Sequence, residues 1–274
     1  MAEVESKAND KRIEMKFLLD APLSTRARAW AREHLGVDAN GNVDGGDSYD
    51  LNTLYLDTAE LDVFHRTGVA GLTKHRIRRY ANDTVLWLET KRKKQMVVSK
   101  SRTVVAESEL SARLATVTDP AAVEAVNDPW CGDWFLQRVA KRALRPMVQV
   151  SYRRFARTAI IAGESLRLTI DSHMRARPVD GWRVAHNSAV GKTSAYQAAE
   201  PPNEALSPYN GELPFGESQI LELKFHNHMP QLFKQLLLSL AIPTSGFSKY
   251  SHAVQALGLA PTAGHSAQEL VLDA

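Results

Sequence analysis

Three short runs place an acid and a base two residues apart: Glu14-Met15-Lys16, Glu89-Thr90-Lys91 and Glu222-Leu223-Lys224. In a β-strand, side chains at i and i+2 leave the same face, so each run reads as one charged face and one apolar face. Between Arg12 and Phe17, Arg12, Glu14 and Lys16 stand opposite Ile13, Met15 and Phe17. Between Ile220 and Phe225, Glu222 and Lys224 stand opposite Leu221, Leu223 and Phe225. Arg76, Arg78 and Tyr80 likewise oppose Ile77, and Arg167 and Thr169 oppose Leu166, Leu168 and Ile170. Taken by parity, one face collects Lys16, Arg76, Arg78, Lys91, Lys93, Lys100, Arg102, Arg154 and Arg167, with Glu14, Glu89 and Glu222 among them.

Two like charges 4 Å apart repel by about 1 kcal/mol in water and by more in a drier interior. A chain keeps such a cluster where an anion neutralises it. Arginine offers a planar fork to phosphate oxygens and lysine a compact charge, a mixture that suits a chain of phosphates. Carboxylates among the bases suit a hard divalent cation, which bridges carboxylate and phosphate oxygens. A solvated sheet explains any one Glu-x-Lys pair as a cross-strand ion pair, and Arg76-x-Arg78 alone as an exposed basic strand. Recurrence over at least six strands favours a cation-lined channel. Few aromatics interleave with the bases as stacking platforms, so nucleic acid is not expected as a partner. His226 and His228 flank Asn227 at a strand-to-helix junction, where exposed or capping roles are expected rather than a metal pair. Neither a Walker-type glycine loop nor a recognisable Ser or Cys nucleophile is present.

The elements that must position these residues follow from the same periodicities. A strand is expected over residues 11–19, then a helix opened by Asp20-Ala-Pro22 and stopped at Gly36. Residues 37–48 read as a loop, 49–56 as a strand, and Asp57-Thr58 as the cap of a short helix reaching Phe64. Residues 74–80 and 84–93 read as a hairpin, 96–105 as a strand, and 108–144 as a helical region broken near Pro129. Strands are expected at 147–160 and 165–171, joined across Ala162-Gly163-Glu164, with a further one over 174–185. The Ala-, Ser-, Pro- and Gly-rich stretch of about 187–216 reads as a mobile insertion. A strand at 219–225 and helices at 229–240 and after Ser248 complete the chain. Strands and helices mix without βαβ alternation, which implies an α+β domain with an antiparallel sheet.

At 274 residues, with 44% hydrophobic and 24% charged content, the chain is a globular protein of one large or two small domains. Its formal net charge of only +3 means that any anion site comes from local clustering. The single cysteine, Cys131, beside Trp130 and Trp134, excludes an intramolecular disulfide and is expected to be a buried, inert thiol. The polar start MAEVESKANDKR has no signal-peptide core, and no run reaches the roughly 20 apolar residues of a spanning helix. A cytoplasmic location is therefore expected, which leaves room for docking to a membrane partner.

With these residues laid out, the chain resembles the VTC domain, the polyphosphate polymerase branch of the triphosphate tunnel metalloenzymes (the CYTH-like superfamily). The resemblance rests on Arg12-Ile-Glu-Met-Lys-Phe17, Leu54-Tyr-Leu-Asp57, Arg76-Ile-Arg78, Leu88-Glu-Thr-Lys91, Tyr152-Arg-Arg154, Leu166-Arg-Leu-Thr-Ile-Asp171, Leu221-Glu-Leu-Lys224 and Phe247-Ser-Lys-Tyr250, in the family's order over residues 11–258. It implies an antiparallel β-barrel whose charged interior is a tunnel for triphosphate or polyphosphate, buttressed by helices. Residues 1–10 are then a disordered tail, 11–258 a single domain and 259–274 a second tail. Carried onto matching positions, Lys16, Arg76, Arg78, Lys91, Lys100 or Arg102, Arg154, Arg167, Lys224 and Lys249 would grip phosphates. Glu222 would lead the ligands for Mn²⁺ or Mg²⁺, with Glu14 and Glu89 beside the metal or pairing with the bases. Arg76, Arg78, Lys91, Glu222 and Lys249 are the expected catalytic set. Eukaryotic members carry an amino-terminal SPX domain and a membrane segment; neither is recognised in this sequence, which reads as a stand-alone, bacterial-type member. The implied activity is metal-dependent transfer of the terminal phosphoryl group of ATP to a growing polyphosphate. The rival readings are a triphosphatase of the same fold, a non-catalytic polyphosphate sensor or scaffold, and, more distantly, an adenylate cyclase.

Overall fold

A computed structural model of the chain describes residues 12–41, 46–68, 70–81, 83–94, 97–118, 129–179, 181–185, 212–242 and 246–260. The alternating runs form the strands that their period dictates: β1 (Arg12–Leu19), β3 (Ser48–Asp57), β4 (Thr73–Tyr80), β5 (Val85–Lys94), β6 (Val97–Ala106), β7 (Arg145–Ile161), β8 (Glu164–Pro178) and β10 (Gln219–His226). Two-residue strands β2 (Gly36–Val37) and β9 (Leu213–Pro214) pair with β7 and β8. The order is β1-β10-β8-β7-β3-β4-β5-β6, and every pairing is antiparallel. The sheet curls until its edge strands β1 and β6 meet. No hydrogen-bonded ladder joins that seam among the described residues; Lys91 of β5 reaches across to Glu14 of β1 instead. The expected barrel is thus a curled sheet whose seam is spanned by an ion pair.

Helices buttress the curl. α1 (Ala21–His34) starts where expected, with Asp20 accepting from the Leu23 amide and Pro22 in the first turn. With α5 (Gln231–Ser239) it covers the apolar face of β1, β10 and β8, burying Phe17, Leu168, Leu221, Leu223, Phe225 and Phe233. α3 (Glu107–Thr118) and α4 (Asp133–Lys141) pack beside β4 and β5 in the larger core, which also holds Ile77, Leu88 and Phe135. α6 (Lys249–Ala256), capped by Ser248, packs against β7 and β8 with Tyr250, Ala253 and Val254.

Three local expectations are corrected. Residues 165–178 form one strand rather than two, because β8 absorbs an irregularity at His173 (φ 52°) where pairing with β7 shifts register. Asp57 and Thr58 do cap the short helix, but it starts later than expected: α2 spans Asp62–His65, Thr58 Oγ1 accepts from the Asp62 amide, and the Asp57 carboxylate accepts from the amides of Thr58, Val63 and Phe64. Cys131 is exposed rather than buried, its thiol 3.7 Å from the Val104 carbonyl.

The β7–β8 turn is as expected, with Ala162 and Gly163 both at positive φ (51° and 81°), as a two-residue hairpin turn requires. Residues 1–10, 186–211 and 261–274 lie outside the described residues, and most of the expected insertion with them. Its last part does not, since β9 pairs with β8 and Phe215 is buried. No helix among the described residues is long and apolar enough to cross a membrane.

Candidate functional site

The charged faces of β1, β4, β5, β7 and β10 turn inward and enclose a cavity of about 390 Å³. Strand parity places Glu14 and Lys16, Arg76 and Arg78, Lys91, Arg154 and Glu222 along its wall, and the first turn of α6 adds Ser248 and Lys249. Eight cations line it (Lys16, Arg66, Lys74, Arg76, Arg78, Lys91, Arg154 and Lys249) against two carboxylates, Glu14 and Glu222. The tyrosines Tyr55, Tyr152 and Tyr250 complete the wall.

The acids behind and within this wall decide how the cations are held. Glu89 is fully buried; Arg76 Nε donates to its Oε2 at 2.7 Å, Arg78 stands 3.6 Å from the same oxygen, and Lys100 meets Oε1 at 2.6 Å as an ion pair. Burial alone would raise the Glu89 carboxyl, yet Arg76, Arg78 and Lys100 hold it well below the usual carboxylate range. Asp171, also fully buried, receives both arms of Arg154 at 2.6 and 2.7 Å and Lys249 at 2.6 Å. Burial works against its charge too, and Arg154 with Lys249 overrides it, so Asp171 is held below the carboxylate range. Lys249 and Arg154 also stand over the Tyr152 ring, at 4.9 and 5.4 Å.

Glu14 and Glu222 form a different group. Glu14 pairs with Lys91 and, at 3.5 Å, with Lys224; Glu222 lies 3.4 Å from Lys224 and 4.0 Å from Arg154. The two carboxyl groups are near enough to repel: burial and Glu222 push Glu14 upward, and only Lys224 and Lys91 bring it below its ordinary value. Glu222 itself is held well below that value, because Lys224, Lys91, Lys16 and Arg154 outweigh its burial. Across the β8–β10 ladder the buried Thr169 hydroxyl has no hydrogen-bond partner among the described residues. Lys16 donates to the Phe247 carbonyl at 2.9 Å. Burial, then the charges of Lys91, Lys74 and Lys249, depress its ammonium to about 7 in spite of Glu222. Lys100 is depressed to about 8 by burial and by Arg76, with Glu89 opposing the drop.

Not every expected residue reaches the cavity. Arg102 is exposed and stacks over Trp87 at 4.6 Å, whereas Lys100, two residues earlier, meets Glu89; neither lines the cavity. Arg167 forms an ion pair with Asp38 at 2.8 Å and donates to the Tyr49 hydroxyl at 2.9 Å, and it does not line the cavity. The Lys93 side chain lies outside the described residues. The three expected metal-facing carboxylates do not converge: among the described residues no three acidic, histidine or cysteine side chains form a metal cluster. Glu89 is committed to cations, which leaves Glu14 and Glu222 as the pair whose mutual repulsion a divalent ion would relieve. Lys74, Asp171 and Tyr152 were missed although they sit at i±2 or i+4 from marked residues. Arg66, which comes from a loop residue at φ 59°, has no sequence signal.

The chain is similar overall to a Hippeastrum protein described as a candidate adenylyl cyclase with a dominant triphosphatase activity: 15% identity over 93% of this chain and 100% of that one, TM-score 0.46. It is also similar to a candidate adenylate cyclase from Bacillus halodurans, at 13% identity over 90% of this chain and 96% of that one, TM-score 0.49. No curated protein matches its sequence. The VTC domain family model matches residues 11–258, the span that holds every strand and every cavity residue above, and the chain belongs to that family.

Proposed function

We propose that the cavity is a binding site for a triphosphate or polyphosphate chain, and that the protein is a polyphosphate polymerase using ATP. The observation that carries this reading is the excess of cations over acids along one enclosed wall. Unneutralised, that excess costs stability; a polyanion neutralises it in place. Arg76, Arg78 and Arg154 are already aimed by Glu89 and Asp171, so their outward N–H groups meet phosphate oxygens without first being ordered. Lys16, Lys91 and Lys249 supply point charges between them, and the amino-terminal dipole of α6 adds to the positive potential.

Transfer needs little covalent help from the protein. An oxygen of the chain end, already anionic, forms a bond to the γ-phosphorus of ATP as the bond from that phosphorus to the β-bridging oxygen breaks; ADP leaves and the chain is one unit longer. The cations hold donor and acceptor in line and balance charge on the equatorial oxygens. Glu14 and Glu222 would hold a divalent ion, Mn²⁺ or Mg²⁺, and such an ion would supply charge neutralisation to the phosphates. The unpartnered Thr169 hydroxyl beside Glu222 fits a further polar occupant there.

The test is incubation of the pure protein with ATP and Mn²⁺, with polymer resolved by gel and ADP by chromatography. ADP formed together with lengthening phosphate chains is the expected result. Orthophosphate release from tripolyphosphate without growth would replace polymerase by triphosphatase. Tight tripolyphosphate binding without any turnover would leave a sensor or scaffold.

A further inference from the structure

A second cluster of cations stands on the outer side of the same wall. Strand parity that turns Arg76 and Lys91 inward turns His75 and Arg92 outward, beneath α4. There Arg142 Nη1 lies 3.1 Å from His75 Nε2, and the His75 ring packs on Phe135. His75 is wholly buried, and burial followed by the charge of Arg142 depresses it to about 4; it is neutral and accepts from Arg142. One turn earlier on α4, Arg138 stands over the Trp134 ring at 4.7 Å, its Nη1 buried and without a hydrogen-bond partner among the described residues. Burial, Arg138 and Arg92 all act to lower the Arg142 guanidinium, and no acid opposes them. Among the described residues none of Arg92, Arg138 and Arg142 has an ion pair with a carboxylate.

Cations in the last turn of a helix are ordinary, since the carbonyl end of the dipole favours them. That accounts for Arg138 and Lys141 on α4. It does not account for Arg92, which comes from β5, nor for an arginine fixed by a neutral histidine instead of an acid. Arginines that repel one another, held by an aromatic face and an imidazole, keep donors that suit an oxyanion.

We propose that Arg92, Arg138 and Arg142 form a second phosphate-binding site, on the outer face of β4–β5 and back to back with the cavity. Its ligand is a phosphate group, either free orthophosphate or the end of a phosphate chain. The site stands on its own residues and needs no turnover in the cavity, so its failure and that of the polymerase reading are separable.

The experiment is a titration of the full chain with orthophosphate, and separately with tripolyphosphate, at constant ionic strength and without ATP or divalent metal. Tryptophan emission reports Arg138, and Trp134→Phe identifies the part of the signal that belongs to Trp134. A saturable Trp134 signal is expected in the wild type, weakened at least tenfold in Arg138→Gln/Arg142→Gln. A response to both anions identifies free phosphate as sufficient, and a response to tripolyphosphate alone identifies a chain end. Absence of a saturable Trp134 signal with either anion overturns the proposal, as does a double variant that titrates like the wild type. Should the double variant not fold, Arg92→Gln, altered at an exposed strand position, decides: a several-fold weaker response is expected, and an unchanged one overturns the proposal.

Discussion

Lys16 is the residue at which the electrostatics of the cavity become measurable. Its folded pKa of about 7 lies far below the ordinary 10.5, because burial and three other lysines disfavour its charge. Between those values the unfolded chain holds a proton that the folded one lacks, so at this residue stability rises as pH increases from about 7 to 10.5. A bound polyanion reverses the preference and keeps Lys16 protonated. Tripolyphosphate affinity should therefore fall as pH rises above 7, with protons taken up on binding at pH 8. Calorimetry in buffers of different ionisation enthalpy measures that uptake. Lys16→Arg, which stays charged, should flatten the fall at alkaline pH, and Lys16→Met should flatten it with weaker binding throughout.

Glu89 permits a prediction of opposite sign. Its carboxylate neutralises Arg76, Arg78 and Lys100, and that neutralisation competes with a phosphate ligand for the same cations. Glu89→Gln should destabilise the free protein by about 3 kcal/mol, the cost of leaving buried charges unpaired. Tripolyphosphate should bind it about tenfold more tightly, or 1.4 kcal/mol. Denaturant unfolding and calorimetry on one preparation check both halves; a variant weaker in both would make Glu89 a positioning residue alone. Glu222→Gln, by contrast, should abolish metal-dependent turnover while metal-free tripolyphosphate binding survives.

At the scale of elements, the period of two made the strands legible, since a one-residue slip would expose Phe17, Leu223 and Phe225 and bury their charged neighbours. The same regularity places Lys16, Arg76, Arg78, Lys91, Arg154 and Glu222 on one wall. It failed where pairing is irregular or a strand runs past the barrel's interior. His173 shifts the β7–β8 register, so the stretch after Asp171 reads as a new strand although the ladder continues. Arg167 follows the parity yet is drawn off by Asp38, an acid in the loop before β3 that no local pattern connects to it. The link from Asp57 to α6 was hidden for the same reason, 193 residues separating the carboxylate from the Tyr250 hydroxyl that bonds to it. That bond ties α6, and with it Lys249, to the end of β3. Tyr250→Phe removes one hydrogen bond to a buried carboxylate, leaving its Oδ2 with the Phe64 amide alone, and should cost about 1–3 kcal/mol in denaturant unfolding. Turnover should fall with it, through the looser placement of Lys249.

For the molecule as a whole, a formal charge of only +3 conceals a strong local field, because cations are gathered in one cavity while acids are spread over the rest. Folding must assemble that field, and the assembled cations repel. A polyanion that binds the folded state alone stabilises it by mass action, about 2.7 kcal/mol at a ligand concentration of 100 Kd. For a domain of this size each kcal/mol corresponds to about 2–4 °C in Tm. Tripolyphosphate at that concentration should therefore raise Tm by about 5–10 °C. Sodium chloride at matched ionic strength should raise it much less, since a screening atmosphere enters an enclosed bore poorly. Orthophosphate should fall between the two, because one phosphate cannot span from Arg76 and Arg78 to Arg154 and Lys249. Scanning calorimetry of one sample against the three salts gives the order directly. Equal shifts for chloride and tripolyphosphate would mean that the cations are satisfied without a ligand.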